Sequence, residues 1–176
     1  MVVDRIEGFE GASPTTQRER DWLLSHVPRN GTMLEIGTLH GVMVGWLASQ
    51  RPDINILSVD PFIDDAGMKS CWRMNHQSNQ HLYVGTTKDP ILERHYLRHF
   101  DLVFIDGDHS LEWCTQDIYA GERLATVDGY LVCHDCYHAG GRFSGVLKAV
   151  EAWCDLTSFE IHHTIDSMVV LKRGKP

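Results

Sequence analysis

Leu102, Val103, Phe104 and Ile105 form a short apolar run that stops at Asp106-Gly107-Asp108-His109. A run this short, rich in β-branched and aromatic residues, suits a strand covered on both faces, and such strands belong to parallel sheets. Parallel strands need crossovers, so strands and helices must alternate along the chain. In open sheets of this kind, ligands bind just beyond the carboxyl ends of the strands. Asp106, Asp108 and His109 therefore stand where chemistry is expected. Tyr130-Leu131-Val132-Cys133 ends the same way, in His134-Asp135. If the two strands are neighbours, Asp106, His134 and Asp135 meet at one edge and form a cup suited to a hard divalent cation.

The rest of the chain has the alternation this requires. Ser13-Pro14-Thr15-Thr16 is a helix start, and Trp22, Leu23, Leu24 and Val27 give the helix an apolar face before the turn Pro28-Arg29-Asn30-Gly31. Thr32 to Gly37 reads as a strand, followed by the turn Thr38-Leu39-His40-Gly41 and a helix from Val42 to Gln50. Ile54 to Val59 is a second strand, ending in Asp60. Between Pro61 and Gln80 a short helix is expected around Ala66 to Asn75. His81 to Gly85 is the next strand, and Thr86 to Pro90 caps a helix through about Leu97. A helix over Leu111–Leu124 presents Trp113, Ile118 and Leu124 inward; Asp128-Gly129 turns into the strand Tyr130 to Cys133. After Gly140-Gly141 comes a helix from Val146 to Cys154, and Phe159–His162 with Met168–Leu171 reads as an antiparallel hairpin. The expected fold is α/β: residues 1–30 form an arm and helix, and residues 31–176 one doubly wound domain with a mostly parallel sheet.

Composition limits the partners. The 176 residues are 43% hydrophobic and 23% charged, the balance of an ordinary globular domain. A net charge of -8 argues against nucleic acid, which needs a basic face. No apolar run reaches the length of a membrane span, and the start MVVDRIEGFEG lacks the basic and apolar regions of a signal peptide, so a cytoplasmic location is expected. Five cysteines in that setting read as reduced thiols. Cys133-His134-Asp135-Cys136 has the spacing of half a zinc site, but no second cysteine pair completes one.

The turn Glu35-x-Gly37-x-x-x-Gly41 lets backbone approach a nucleotide-like ligand, although its spacing differs from the G-x-G-x-x-G of dinucleotide sites. Asp60, about 20 residues further on at a strand end, has the offset of a carboxylate that accepts ribose hydroxyls. The plainer alternative is an aspartate that closes its own turn.

Leu34-Glu35-Ile36-Gly37-Thr38-Leu39-His40-Gly41 resembles the first motif of the class I S-adenosylmethionine-dependent methyltransferases. Together with IDGDHS and the later GYLVCHDC, it is similar to the small-molecule O-methyltransferases of the macrocin and catechol type. The resemblance runs from about Thr32 to the C-terminus, and the order of its four signals, LEIGTLHG, VD, IDGDHS and HD, is its most specific part. It implies a Rossmann-like sheet of seven strands. It implies that Glu35, Gly37, Thr38 and Gly41 line the methionine end and turn of the cofactor, that Asp60 holds the ribose, and that Gly85 and Thr86 lie near the adenine. Asp106 faces the cofactor and ligates a metal, magnesium in the usual case, with His134 and Asp135 as further ligands, and His109 stands where a catalytic base belongs. Two departures are visible. Position 134 is usually Asp or Glu, and magnesium prefers oxygen over imidazole. Related enzymes often carry extra N-terminal helices over the substrate site; here a more open pocket, or one covered by a second copy of the chain, is expected.

The resulting expectation is metal-assisted O-methylation of a small hydroxylated molecule. A metal-dependent oxygenase of the cephalosporin-hydroxylase type and a non-catalytic binder of S-adenosylmethionine are the alternatives. Several residues have plainer readings beside the functional ones. Asp108 can cap the helix at Leu111, and His109 can cap or bond backbone. His134 can turn towards a loop carbonyl, and His40 can be a structural contact. Trp113 and Trp153 read as packing, while Trp72 and His138 are loop residues within reach of substrate.

Overall fold

The computed structural model describes residues 6–9, 15–61, 75–137 and 144–174. Seven strands, β1 (Thr32–Ile36), β2 (Asn55–Val59), β3 (Gln80–Tyr83), β4 (Phe100–Ile105), β5 (Ala125–Cys133), β6 (Phe159–Ile165) and β7 (Met168–Arg173), form one sheet in the order β3-β2-β1-β4-β5-β7-β6. The first five are parallel, and β7 runs antiparallel between β5 and β6. The helices are α1 (Gln17–His26), α2 (Val42–Gln50), α3 (Pro90–Tyr96), α4 (Leu111–Leu124) and α5 (Ser144–Leu156). This is the expected doubly wound seven-stranded α/β sheet with its C-terminal hairpin.

Alternation along each strand divides the core in two. Leu34, Val103, Ile105, Leu131 and Cys133 pack on one face with Leu92 of α3, Ile118 and Leu124 of α4 and Val150 of α5. Met33, Leu102, Phe104 and Val132 pack on the other with Leu23 of α1, Val27 at its end, and Val44 and Leu47 of α2. A side chain's position along its strand thus decides which helices it meets.

Several boundaries differ from the sequence reading. β5 begins at Ala125 rather than Tyr130, because residues 126–129 stay in the strand as an irregularity that shifts the register between Phe100 and Leu102 of β4. The expected Asp128-Gly129 turn is part of this bulged stretch. β6 and β7 extend to Ile165 and Arg173, and α5 spans Ser144–Leu156. The expected helix over 66–75 lies outside the described residues except for Asn75, as do Gly140 and Gly141, His138 and Trp72.

Backbone pairing continues past the strand tips and aligns the loops that follow. The amide of Asp106 donates to Ile36 O (2.8 Å), that of Gly37 to Val59 O (2.9 Å), that of Asp60 to Tyr83 O (3.2 Å) and that of His134 to Ile105 O (3.0 Å). Residues 37, 60, 106 and 134 therefore stand in one row along the carboxyl edge.

Candidate active site

A cavity of about 590 Å³ opens above this row. Of the expected cofactor residues, Glu35, Gly37, Thr38, Asp60, Gly85, Thr86 and Asp106 line it. Gly41 lies outside the wall and instead starts α2, in the left-handed conformation (φ 68°). Gly37 has φ 90°, and a Cβ there would sit 2.3 Å from Asp106 O, so β1 and β4 can close on each other only around a glycine. Asp60 closes a turn, the plainer of its two readings, and it also lines the cavity. Its Oδ2 accepts from the amides of Thr38 (2.9 Å) and Leu39 (3.0 Å), which fixes the turn.

Glu35 is buried at the cavity floor, where Thr38 Oγ1 donates to its Oε2 (3.0 Å). Burial pushes its carboxyl up to about 8, against the pull of the Ser58 and Thr38 hydroxyls. Asp117, Thr87 and Trp113 also line the cavity and were missed as site residues. Asp117 accepts from Thr87 Oγ1 (2.6 Å), and burial raises its carboxyl to about 6. It was detectable: Cys114, Asp117, Ile118 and Gly121 are spaced as one buried stripe of α4, and an acid within such a stripe needs a reason. Trp113 corrects the packing assignment, for it faces the cavity with Lys88 Nζ 3.9 Å from its ring centroid. Asp108 does not cap α4; it accepts from the Ser110 amide (2.8 Å), and Ser110 is the cap.

At one end of the cavity lies the cluster expected from the two strand ends. Asp106, His134 and Asp135 each offer a ligand atom, all within 4.8 Å of one another. His134 Nδ1 is 3.1 Å from Asp106 Oδ1 and 3.6 Å from Asp135 Oδ2. Asp135 follows β5 with φ 57°, a left-handed conformation that aspartate tolerates better than most residues. His109 Nε2 reaches the same carboxylates, 3.2 Å from Asp135 Oδ2 and 3.7 Å from Asp106 Oδ1. Behind His134 stands a residue that sequence reasoning did not find: Glu19 of α1, wholly buried, with Oε2 3.4 Å from His134 Nε2. Its spacing from Thr16 marks a capping box, which the structure contains; nothing local signals the contact with residue 134.

The charges in this cluster support one another. Burial opposes ionisation of Asp106 and Asp135, but the neighbouring imidazoles outweigh it and hold both below the usual carboxylate range. Hydrogen bonds to Asp106 and Asp135 push His109 up to about 9, and His134, despite burial, is raised well above its ordinary value by Asp106 and Glu19. The donor set, two carboxylates and an imidazole nitrogen within bridging distance, fits a divalent cation. Among the described residues, no thiol joins it. Cys133 and Cys136 are buried, Cys136 Sγ donates to Cys133 O, and burial pushes the Cys136 thiol up to about 12.

The sequence profile of a methyltransferase domain matches residues 34–136, more than half of the chain and the stretch that carries every cavity loop described above. The chain belongs to the methyltransferase-domain family. No curated protein matches this methyltransferase. Solved structures share its fold at low identity. A Staphylococcus aureus protein assigned as a caffeoyl-CoA O-methyltransferase is 14% identical with a TM-score of 0.72, over 92% of this chain and 86% of that one. Cofactor-bound Rv0187 from MTB is 18% identical with a TM-score of 0.70, over 99% and 85%. A Nostoc punctiforme protein assigned as an O-methyltransferase is 19% identical with a TM-score of 0.59, over 86% of this chain but only 55% of its own length. The fold is thus the Rossmann-like one of the class I methyltransferases. Among the described residues, no helix is long and apolar enough to cross a membrane.

Proposed function

We propose that the protein transfers the methyl group of S-adenosylmethionine to a hydroxyl of a small molecule, with a divalent cation held by Asp106, His134 and Asp135. The observation that carries this reading is the double position of Asp106, which belongs both to the wall of the nucleoside-sized cavity and to the cation-binding cluster. A donor bound along the cavity and an acceptor oriented at the cluster would meet there, and alignment is the main contribution a protein makes to this reaction.

The sulfonium supplies an electrophilic methyl carbon, and a bound cation would lower the pKa of a coordinated hydroxyl. The chain's own residues do the rest. Asp60 and the turn after β1 hold the nucleoside, and Glu35 faces the amino-acid end. The acceptor oxygen attacks the methyl carbon as the sulfur–carbon bond breaks, and His109 Nε2 takes the hydroxyl proton. His109 can do so only once its own proton has left, and that proton is held by the same two carboxylates that would hold the cation. Sharing those carboxylates with an ion would weaken that hold and favour the neutral imidazole as base.

The test is methyl transfer from labelled S-adenosylmethionine to catechols, sugars and other hydroxylated metabolites, with and without a chelator. Transfer that stops on chelation, returns with metal and falls at least 100-fold in Asp106→Asn is expected. Chelator-resistant transfer would remove the cation from the account. Turnover that needs iron and 2-oxoglutarate but no S-adenosylmethionine would replace this reading with the oxygenase.

A further inference from the structure

Resting on the metal-assisted reading above, we propose that Glu19 positions His134 as a metal ligand, making α1 part of the cation site and giving that site a preference for manganese(II)-class ions over magnesium. His134 is 1% exposed, and its ring is held between carboxylates on both sides: Glu19 Oε2 at Nε2 (3.4 Å), and Asp106 and Asp135 at Nδ1 (3.1 and 3.6 Å). Glu19 has no freedom to turn away. Its Oε1 accepts from the Ser167 amide (2.9 Å) and Ser167 Oγ (2.8 Å), and its Oε2 accepts from the Thr16 amide (2.7 Å). Carboxylates face both ring nitrogens and only accept, so each side can hold a ring hydrogen. A cation bound by Asp106 and Asp135 would take the place of the hydrogen on Nδ1, and Glu19 would keep the remaining one on Nε2, leaving the Nδ1 lone pair for the ion. This is the arrangement in which an outer carboxylate fixes the tautomer and direction of a ligating histidine.

Two further observations point the same way. A glutamate that only completes a capping box has no need of burial, yet Glu19 is 0% exposed. The spacing from Nδ1 to the two carboxylate oxygens lies near the roughly 3 Å that separates adjacent ligands around an octahedral ion with bonds of about 2.1 Å. One imidazole among the ligands favours a transition ion, because magnesium prefers an all-oxygen shell.

The experiment is calorimetric titration of the chelator-stripped full chain with MnCl2 and, separately, MgCl2, in the wild type, Glu19→Gln and Thr16→Ala. Glutamine can keep the capping box but lacks the carboxylate facing Nε2. Thr16→Ala weakens the same helix cap through a side chain that does not touch His134. The expected result is manganese bound at least tenfold more tightly than magnesium, a 10–100-fold loss of manganese affinity in Glu19→Gln, and affinity within twofold of wild type in Thr16→Ala. Equal manganese affinity in wild type and Glu19→Gln overturns the proposal, as does an equal loss in both variants, or magnesium binding as tight as manganese. Should Glu19→Gln not fold, cobalt(II)-loaded wild type decides: a paramagnetically shifted, exchangeable ring N–H signal that isotope labelling assigns to His134 Nε2 supports the proposal, and its absence overturns it. A wild type that binds S-adenosylhomocysteine but neither ion removes the metal-assisted reading itself.

Discussion

Gly37 carries two constraints at once, a left-handed backbone and a 2.3 Å approach to Asp106 O. Gly37→Ala should cost on the order of 3 kcal/mol and abolish binding of S-adenosylhomocysteine, measured by urea unfolding and calorimetry. Glu35 supplies the pH test. Its value of about 8 in the fold lies above its ordinary 4.5, so its contribution to stability is complete below about pH 4.5 and is lost as pH rises to about 8. Relative to Glu35→Gln, the cofactor-free wild type should lose on the order of a few kcal/mol across that window, read from urea midpoints at pH 5 and pH 8.5. An unchanging difference between the two proteins would mean that Glu35 is ionised throughout. At this scale much of the site was legible. Asp106, His134 and Asp135 each follow an apolar run, which in a parallel sheet ends at the ligand edge. Asp117 and Trp113 were legible in principle, one as an acid in a buried stripe and the other as a first-turn aromatic. Glu19 was not, because its partner is 115 residues away in the sequence.

The helix that brings Glu19 into place is held at both ends. At its start, the Thr16 side chain accepts from the Glu19 amide while the Glu19 side chain accepts from the Thr16 amide. At its end, Arg51 donates to Leu24 O (2.7 Å), Val27 O (3.0 Å) and Pro28 O (3.1 Å), satisfying carbonyls that a helix terminus leaves open. Asp53 pairs with the same guanidinium (2.8 Å). Arg51→Met should destabilise the protein by about 2 kcal/mol, since it removes one donor group from several carbonyls, whereas Thr16→Ala should cost about 1 kcal/mol. Chemical denaturation distinguishes them, and equal small effects would mean that water replaces the arginine. The end of α1 was readable as a turn; that Arg51 closes it was not, since arginine at the end of α2 looks like any solvated charge.

Across the whole molecule, the row of strand tips makes binding and folding one equilibrium. S-adenosylhomocysteine at a hundredfold over its Kd should add about 2.7 kcal/mol of stability. In a domain of this size that is a rise in Tm on the order of 5–10 °C by scanning calorimetry. A flat response would mean that the cavity does not take the nucleoside.

Local patterns specified the elements, because a buried parallel strand must be short and continuously apolar, and because a tight strand-to-helix turn must contain glycine. They therefore located the carboxyl edge and the residues that emerge from it. Sheet order, with β7 inserted between β5 and β6, and the choice of helices over each face were decided only by packing. Those same choices set α1 against His134 and gave its buried ring a carboxylate on either side, since contacts between distant segments leave no periodic trace in the segments themselves.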